Sequence, residues 1–308
     1  VEDVYFHDVA ASLASYEALL EQARAQRVAV ADIAQVWAET GIGVQLDGLA
    51  ETDRAIEHLK TVADARPPAP RGATARAALA LGTAYDRIGD RPHAIEAYRL
   101  AIITAAGDDT DRMRAAANDR LQHPPDPKKA EAYRLSLEGW RLFERGARGQ
   151  AETMLQRSLE LNPADAVAHF RYGRLLQARN NDAGRALAQF ELAIRGRPQA
   201  PGPILASAYL EAGRLLEIRG DRARALEMYQ TVGRIAGAEP RTKDDAAKSL
   251  ARLRGQSSPP ACHGRQKSPP LASSRALRND GRSPTIACDG SRLPGGVHEA
   301  GFIRADRG

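Results

Sequence analysis

The stretch LGTAYDRIGDRPHAIEAYRLA, which runs from Leu81 to Ala101, contains the pattern from which the fold of this chain follows. Gly82 is followed twelve residues later by Ala94, and four residues after that by Tyr98. The same order of a glycine, an alanine and a large apolar residue occurs five times: Gly43/Ala55/Leu59, Gly82/Ala94/Tyr98, Gly139/Ala151/Leu155, Gly173/Ala186/Phe190 and Gly213/Ala225/Tyr229. Such regular spacing predicts an internal repeat of about 34 residues.

The repeated residues suit two antiparallel helices in close contact. A glycine on the first helix and an alanine on the second let the two backbones approach, while the large apolar residue fills the space beside them. In three repeats a proline follows that residue, at Pro67, Pro163 and Pro198, where a helix has to stop. Because one pair cannot bury its apolar stripe alone, the sequence predicts an all-α, right-handed superhelical solenoid of five stacked pairs, with the first helices lining a concave face.

These residues resemble the tetratricopeptide repeat family over roughly residues 36–254. The stretch from Leu81 to Ala101 carries the leucine-glycine, tyrosine, glycine turn, alanine, aromatic residue and alanine of that family in register, and LELNPADA carries its closing asparagine-proline turn. The repeats depart from the family pattern near the turns: there is one extra residue between Gly173 and Ala186, the second unit lacks its final proline, and the last unit reaches Pro240 three residues late. The resemblance implies a scaffold that binds a protein or peptide.

The repeats are predicted to form two blocks, each closed by a capping helix. Residues 3–25 read as an amphipathic helix that packs on the first repeat. The segment HPPDP at 123–127 interrupts the repeat and is the best candidate boundary. We therefore expect domains at 1–122 and 128–254, without deciding between one continuous superhelix and a hinge. The predicted pairs are 31–66, 74–106, 129–162, 164–197 and 203–236, with capping helices beginning near 108 and 241.

Residues 255–308 differ in composition from the rest of the chain. They are rich in Ser, Pro, Gly and Arg and lack sustained periodicity, so the sequence predicts a disordered tail. An out-of-frame reading of GC-rich coding sequence has the same composition, and the two interpretations stay open. The tail also holds both cysteines, Cys262 and Cys288, so the repeats have no disulfide.

The charge distribution argues against a nucleic-acid-binding surface on the repeats. The chain carries a net charge of +5, and four of those charges come from the tail, which leaves residues 1–254 near +1. A surface that follows phosphates needs clustered positive charge. Nucleic-acid binding through the basic tail is a less favoured alternative. No apolar run reaches the roughly 20 residues of a membrane span, and the compartment cannot be read from the sequence.

Motifs for catalysis, metal binding and cofactor binding were sought and are absent from the sequence. The chain has no GxxxxGK[ST], HExxH, paired CxxC or GxSxG pattern. We therefore predict no enzyme activity, no catalytic residue, no metal site and no cofactor. The histidines His7, His58, His93 and His169 stand singly on predicted helices, where packing or surface roles are expected.

The resemblance places a candidate partner-binding groove on the second block. In the family, the residues one and four positions after the repeat's glycine face the groove, and those one turn earlier should face the same way. Mapped onto this sequence, the candidates are Trp140, Phe143, Phe170, Arg171, Arg174, Gln177, Arg214 and Glu217. An aromatic anchor followed by arginines suits an acidic or carboxylate-bearing extended peptide. The alternative is that Trp140 fills a gap after HPPDP and that the arginines are ordinary solvated side chains.

The favoured hypothesis is a non-catalytic interaction scaffold. The family's carboxylate clamp of lysines and asparagines is absent, because Ser136, Trp140, Phe170 and Arg174 occupy such places. Recognition of a chaperone C-terminus is therefore not expected. A second hypothesis is that the repeats are a regulatory or accessory part of a longer polypeptide, for instance in envelope assembly or signalling, since the chain begins at Val1 without an initiator methionine.

Overall fold

The computed structural model describes residues 9–65, 70–105, 107, 112–179, 182–196 and 200–255, which form thirteen helices and no strand. The helices are α1 (Val9–Arg24), α2 (Ala31–Gly48), α3 (Thr52–Ala63), α4 (Arg71–Ile88), α5 (Arg91–Thr104), α6 (Met113–Gln122), α7 (Pro127–Glu144), α8 (Arg148–Leu161), α9 (Ala166–Gln177), α10 (Ala183–Arg195), α11 (Gly202–Ile218), α12 (Arg222–Val232) and α13 (Pro240–Gly255). The five predicted pairs are α2/α3, α4/α5, α7/α8, α9/α10 and α11/α12. The all-α fold is thus confirmed, while the predicted disordered tail, apart from Gly255, lies outside the described residues.

The repeated glycines and alanines are the points of closest approach within each pair. A β-carbon at Gly82 would lie 2.5 Å from Cε1 of Tyr98, and one at Gly213 would lie 2.6 Å from Cε1 of Tyr229. Such distances are far shorter than van der Waals contact, so only glycine fits at these positions. The five alanines of the pattern, Ala55, Ala94, Ala151, Ala186 and Ala225, are fully buried. This packing confirms the internal repeat.

In four of the five pairs, the turn has a residue in the left-handed region seven positions after the repeat's glycine, and the equivalent residue of the fourth pair lies outside the described ranges. Three of the repeats place a glycine there: Gly89, Gly146 and Gly220 have φ values of 82°, 82° and 80°. A glycine adopts this conformation without steric cost because it lacks a β-carbon. In the first repeat the same position is Ala50, with φ of 63°. Ala50 is thus the exception among the described turns of this kind.

The asparagine-proline turn ends α8 and starts α9. Asn162 follows the last residue of α8, and Pro163 cannot continue the helix. Asp165 then caps α9, because its Oδ1 accepts from the backbone N–H groups of Val167 at 2.9 Å and Ala168 at 3.0 Å. The other two prolines predicted to end helices, Pro67 and Pro198, lie outside the described residues.

The second and fifth repeats each contain a hydrogen bond from a buried tyrosine to a carboxylate. The Tyr98 hydroxyl donates to Oδ2 of Asp86 at 2.9 Å, and the Tyr229 hydroxyl donates to Oε2 of Glu217 at 3.0 Å. Both carboxylates lie four positions after the repeat's glycine. Burial is the main cause that raises the pKa of each tyrosine to about 12, and the neighbouring carboxylate adds to it. Both hydroxyls therefore remain protonated donors at neutral pH.

The helices α6 and α13 are held by equivalent arginines, each nine positions after its repeat's glycine. The guanidinium of Arg91 donates to the carbonyl of Leu121 at 3.0 Å, near the end of α6. That of Arg222 donates to the carbonyl of Leu253, near the end of α13. Carbonyls in the last turn of a helix need such donors. This equivalence supports our proposal of two blocks, which we name the first block (α1–α6) and the second block (α7–α13).

The chain does not continue stacking from α6 to α7. Within the described residues, α7 packs against α4 and against its own partner α8. The contact is apolar at its centre, where Ala50, Tyr133, Leu137 and Val167 form a buried cluster with Ile88 beside it. The segment HPPDP therefore redirects the chain, so that α7 and α9 approach the turn of the first repeat.

Candidate functional site

The candidate site is centred on two aromatic residues of α7. Trp140 and Phe143 are one turn apart, and their rings pack with centroids 5.2 Å apart and an interplanar angle of 40°. Both side chains are half-buried. Aromatic pairs in this tilted arrangement are favourable beyond their buried area. The pair therefore presents a rigid apolar surface that is still accessible to a partner.

The two candidate residues at the centre of α9 are buried. Phe170 is 7% exposed and packs on Phe190, with ring centroids 6.0 Å apart. Arg171 is 5% exposed and donates to Oγ of Ser136 at 2.9 Å and to the carbonyl of Ala50 at 2.8 Å. Burial lowers the pKa of Arg171. Its position gives Arg171 a contact inside the chain in place of the partner contact that the sequence predicted.

Arg174 lies one turn beyond Phe170, on the same side of α9. Its side chain is half-buried and forms no hydrogen bond or ion pair with the described residues. Gln177, the next candidate, donates from Nε2 to Oε2 of Glu211 on α11 at 2.6 Å. Arg174 is thus a cation of α9 that is available to an anionic partner, whereas the amide of Gln177 is engaged by α11.

The candidates on α11 are engaged within the chain. Arg214 donates to Oε1 of Glu211 at 2.8 Å and to Oδ2 of Asp245 at 3.0 Å. Glu217 accepts from Nη2 of Arg252 at 2.8 Å, and this hydrogen bond is the main cause that lowers the pKa of Glu217. Because these charges are paired internally, the end of the groove near α13 offers little net charge to a partner.

A cavity of 340 Å³ lies beside Trp140. Its walls come from α7, α9 and α11 on one side and from the turn between α2 and α3 on the other. The residues that line it include Leu49, Ala50, Asp53, Leu137, Trp140, Arg141, Phe170, Arg171 and Ile204. The sequence did not predict the contribution of Leu49, Ala50, Asp53 and Ile204. The sequence signal that could have indicated this contribution is Ala50, since three other repeats have a glycine at the equivalent position.

The histidines of the described residues have partners inside the chain. Nδ1 of His58 lies 2.5 Å from Oε2 of Glu39, and Nδ1 of His169 lies 2.7 Å from Oε1 of Gln189. Over the described ranges, no three His, Cys, Asp or Glu residues come together as metal ligands. His7 lies outside those ranges. Among the described helices, none has both the length and the apolar character needed to cross a bilayer.

The stacked antiparallel pairs define an α-helical repeat protein. The glycine-alanine contacts and asparagine-proline turn make its unit tetratricopeptide-like. No family model matches the chain, and no curated protein matches it.

The chain is similar to several solved structures. With MamA it shares 21% identity over 68% of this chain and 97% of that one, with a TM-score of 0.30. With the TPR2AB domain of yeast Sti1, solved with a pHSP90 partner, it shares 19% over 80% and 98%, with a TM-score of 0.33. With YrrB, described as having an unusual peptide-binding site, it shares 19% identity over 76% of this chain and 98% of that one, with a TM-score of 0.32.

Proposed function

We propose that the chain is a non-catalytic scaffold that binds an extended, acidic peptide or protein segment on the second block. The binding surface is the face formed by Trp140, Phe143 and Arg174, which we name the α7/α9 face. Tryptophan and arginine are the residues that most often dominate binding energy at interfaces. A guanidinium also binds carboxylates through two parallel hydrogen bonds. The affinity would come from these anchors on a preformed surface.

The observation that carries the proposal is the combination of an accessible aromatic pair with an arginine whose side chain forms no hydrogen bond or ion pair with the described residues. Arg174 and Arg214 occupy equivalent repeat positions, one residue after the glycine. Arg214 is neutralised by Glu211 and Asp245, whereas Arg174 forms no ion pair with the described residues. The difference favours α7 and α9 over α11 as the place where an anionic group of the partner binds.

The test is selection from a random dodecapeptide library with the full chain, followed by fluorescence anisotropy with the selected peptides. We expect wild type to select peptides enriched in Asp and Glu. The double variant Trp140→Ala/Arg174→Glu should lose at least about 30-fold in affinity, which corresponds to about 2 kcal/mol, because one anchor is removed and one charge is reversed. Peptides with Asn and Gln in place of the acids should bind weakly to both proteins.

The matched control is Trp37→Ala/Arg157→Glu, which makes the same chemical changes on α2 and α8. Trp37 is 37% exposed, and Arg157 is exposed. The control should bind like wild type. Equal losses of affinity in the two double variants, or unchanged binding by Trp140→Ala/Arg174→Glu, would refute the assignment of the α7/α9 face.

A further inference from the structure

The turn between α2 and α3, residues Leu49–Arg54, which we name the clasp, lies against α7 and α9 of the second block. The Ala50 carbonyl accepts from Nη2 of Arg171 at 2.8 Å and from the Tyr133 hydroxyl at 3.3 Å. Oγ1 of Thr52 lies 2.8 Å from that hydroxyl. Nε of Arg141 donates to Oδ2 of Asp53 at 2.7 Å. Four polar contacts thus join the first repeat to helix residues that follow it by more than 80 positions.

The backbone of the clasp is adapted to this contact. Ala50 has φ of 63°, where the equivalent turns have Gly89, Gly146 and Gly220. An L-residue in this conformation is less stable by about 1–2 kcal/mol. The side chain of Ala50 is 2% exposed, in the cluster with Tyr133, so its methyl group contributes to the contact that a glycine would lack. Packing against the second block offsets the local strain.

The clasp supplies a hydrogen-bond acceptor to the buried cation Arg171 of α9. Within the described residues, Arg171 forms no ion pair, and its guanidinium depends on the Ala50 carbonyl and Ser136 for acceptors. It also lies over the ring of Tyr133, 5.8 Å from the centroid. A buried cation needs such acceptors. If the clasp moved away, Arg171 would lose an acceptor and would become available beside Arg174.

The clasp has the chemistry of the partner that we propose. Its sequence is LAETDR, with acidic residues Glu51 and Asp53, and both line the 340 Å³ cavity together with Trp140. Asp53 is already paired with Arg141 of α7. Glu51 pairs with Arg54 within the clasp, so Asp53 is the acid of the clasp that occupies one edge of the face where an acidic partner would bind.

We propose that the clasp is an internal pseudoligand, which competes with the partner for the α7/α9 face and for Arg171. The inference rests on the proposed function, since the clasp would compete with the acidic partner proposed there. An opening of the clasp increases the positive charge of the face and enlarges access to Trp140. Binding of a partner then favours the open form, because a ligand shifts the equilibrium toward the state it binds better.

Opening can be measured without a partner through Trp140. The chain has two tryptophans, so Trp37→Phe leaves Trp140 as the single tryptophan, whose emission is excited selectively over that of tyrosine. In that background, Asp53→Lys removes the pair with Arg141 and places two cations together. We expect the acrylamide quenching constant of Trp140 to rise roughly twofold as the open form becomes populated. Glu57→Lys, the same charge change at an exposed position of α3, is the matched control and should leave quenching unchanged.

Competition is measured with a synthetic peptide of residues 48–55, GLAETDRA, and with GLAQTNRA, in which amides replace both acids. We expect Asp53→Lys to bind the acidic peptide at least tenfold more tightly than wild type does, a change of about 1.4 kcal/mol. The amide peptide, which lacks the carboxylates, should not show this gain. Addition of Arg171→Met to the Asp53→Lys protein should remove it, because the guanidinium is then absent.

Circular dichroism verifies that each variant is folded. If Asp53→Lys fails to fold, Tyr133→Phe replaces it, since this change removes only the hydroxyl that contacts Thr52 and Ala50. Equal quenching in the variant and in Glu57→Lys would overturn the proposal. Increased quenching with no gain in peptide affinity would also overturn it and would make the clasp a purely structural junction. The α7/α9 face itself is judged separately, by Trp140→Ala/Arg174→Glu in the library selection.

Discussion

The substitution Gly82→Ala tests the packing on which the repeat depends. A β-carbon at Gly82 would lie 2.5 Å from Cε1 and 2.6 Å from Cδ1 of Tyr98. An ordinary contact needs close to 1 Å more, and the Tyr98 ring is fully buried and hydrogen-bonded to Asp86, so it cannot turn aside. Overpacking of this kind costs about 1–3 kcal/mol.

The higher helix propensity of alanine offsets part of that cost. Alanine is more favourable than glycine in a helix interior by about 1 kcal/mol. Because the approach of 2.5 Å is so short, we place the overpacking cost in the upper part of its range, at about 2–3 kcal/mol, and expect a net destabilisation of about 1–2 kcal/mol for Gly82→Ala. For a chain of this size, a loss of that magnitude corresponds to a decrease of about 2–8 °C in the melting temperature. The measurement is thermal and urea unfolding followed by circular dichroism at 222 nm.

The matched control is Gly184→Ala in α10, where an added β-carbon meets no atom within 4 Å. This change should stabilise the protein by about 0.4–1 kcal/mol, so the two substitutions should have opposite signs. A double-mutant cycle with Tyr98→Leu supplies the second check. The smaller side chain should relieve part of the clash, with a coupling energy of about 0.5–3 kcal/mol. A Gly82→Ala protein as stable as wild type would refute the close-approach explanation of the repeat.

Three further predictions concern the turns of the third and first repeats and the titration of Asp47. Gly146→Ala should destabilise the protein by about 1 kcal/mol, because an added β-carbon meets no atom within 4 Å but the residue has φ of 82°. Ala50→Gly should stay within about 0.5 kcal/mol of wild type, because the relief of strain and the loss of the buried methyl group nearly cancel. Urea unfolding midpoints measure both changes, and a gain above about 1 kcal/mol for Ala50→Gly would show that the methyl group contributes nothing. Burial, opposed by Arg87 and Thr52, raises the pKa of Asp47 above 3.8, so the protonated form contributes stability that is present below pH 3.8 and is lost as pH rises through the folded-state pKa. As the pH rises from 3.8 through the folded-state pKa of Asp47, the unfolding free energy of wild type relative to that of Asp47→Asn should therefore fall. A rise would mean that the ion pair with Arg87 outweighs burial.

The order of the helices could be predicted from the sequence because each repeat uses contacts between residues that are close in the chain. Gly82, Ala94 and Tyr98 lie within one helix pair, and their spacing alone determines that they meet. The same holds for the proline at 163, which ends α8 whatever the rest of the chain does. Local spacing and local breakers therefore determined the helix pairs and their bounds.

Part of the candidate site could be predicted for the same reason. Trp140 and Phe143 are one turn apart on α7, so their common face follows from helical periodicity. Whether an arginine on that face is free could not be predicted. Arg174 and Arg214 have equivalent positions, and only the arrangement of α11 and α13 supplies the acids that neutralise Arg214.

The tertiary structure alone determined the contact between the two blocks. Arg171 donates to the carbonyl of Ala50, which precedes it by 121 residues. No repeat spacing relates these two residues, because the chain passes through HPPDP and brings α7 against α4 instead of continuing from α6. A backbone carbonyl also has no residue signature of its own. The sequence therefore determined the repeating unit through short-range sterics, while the path of the chain between the blocks determined which groups of that unit are buried and which remain available for binding.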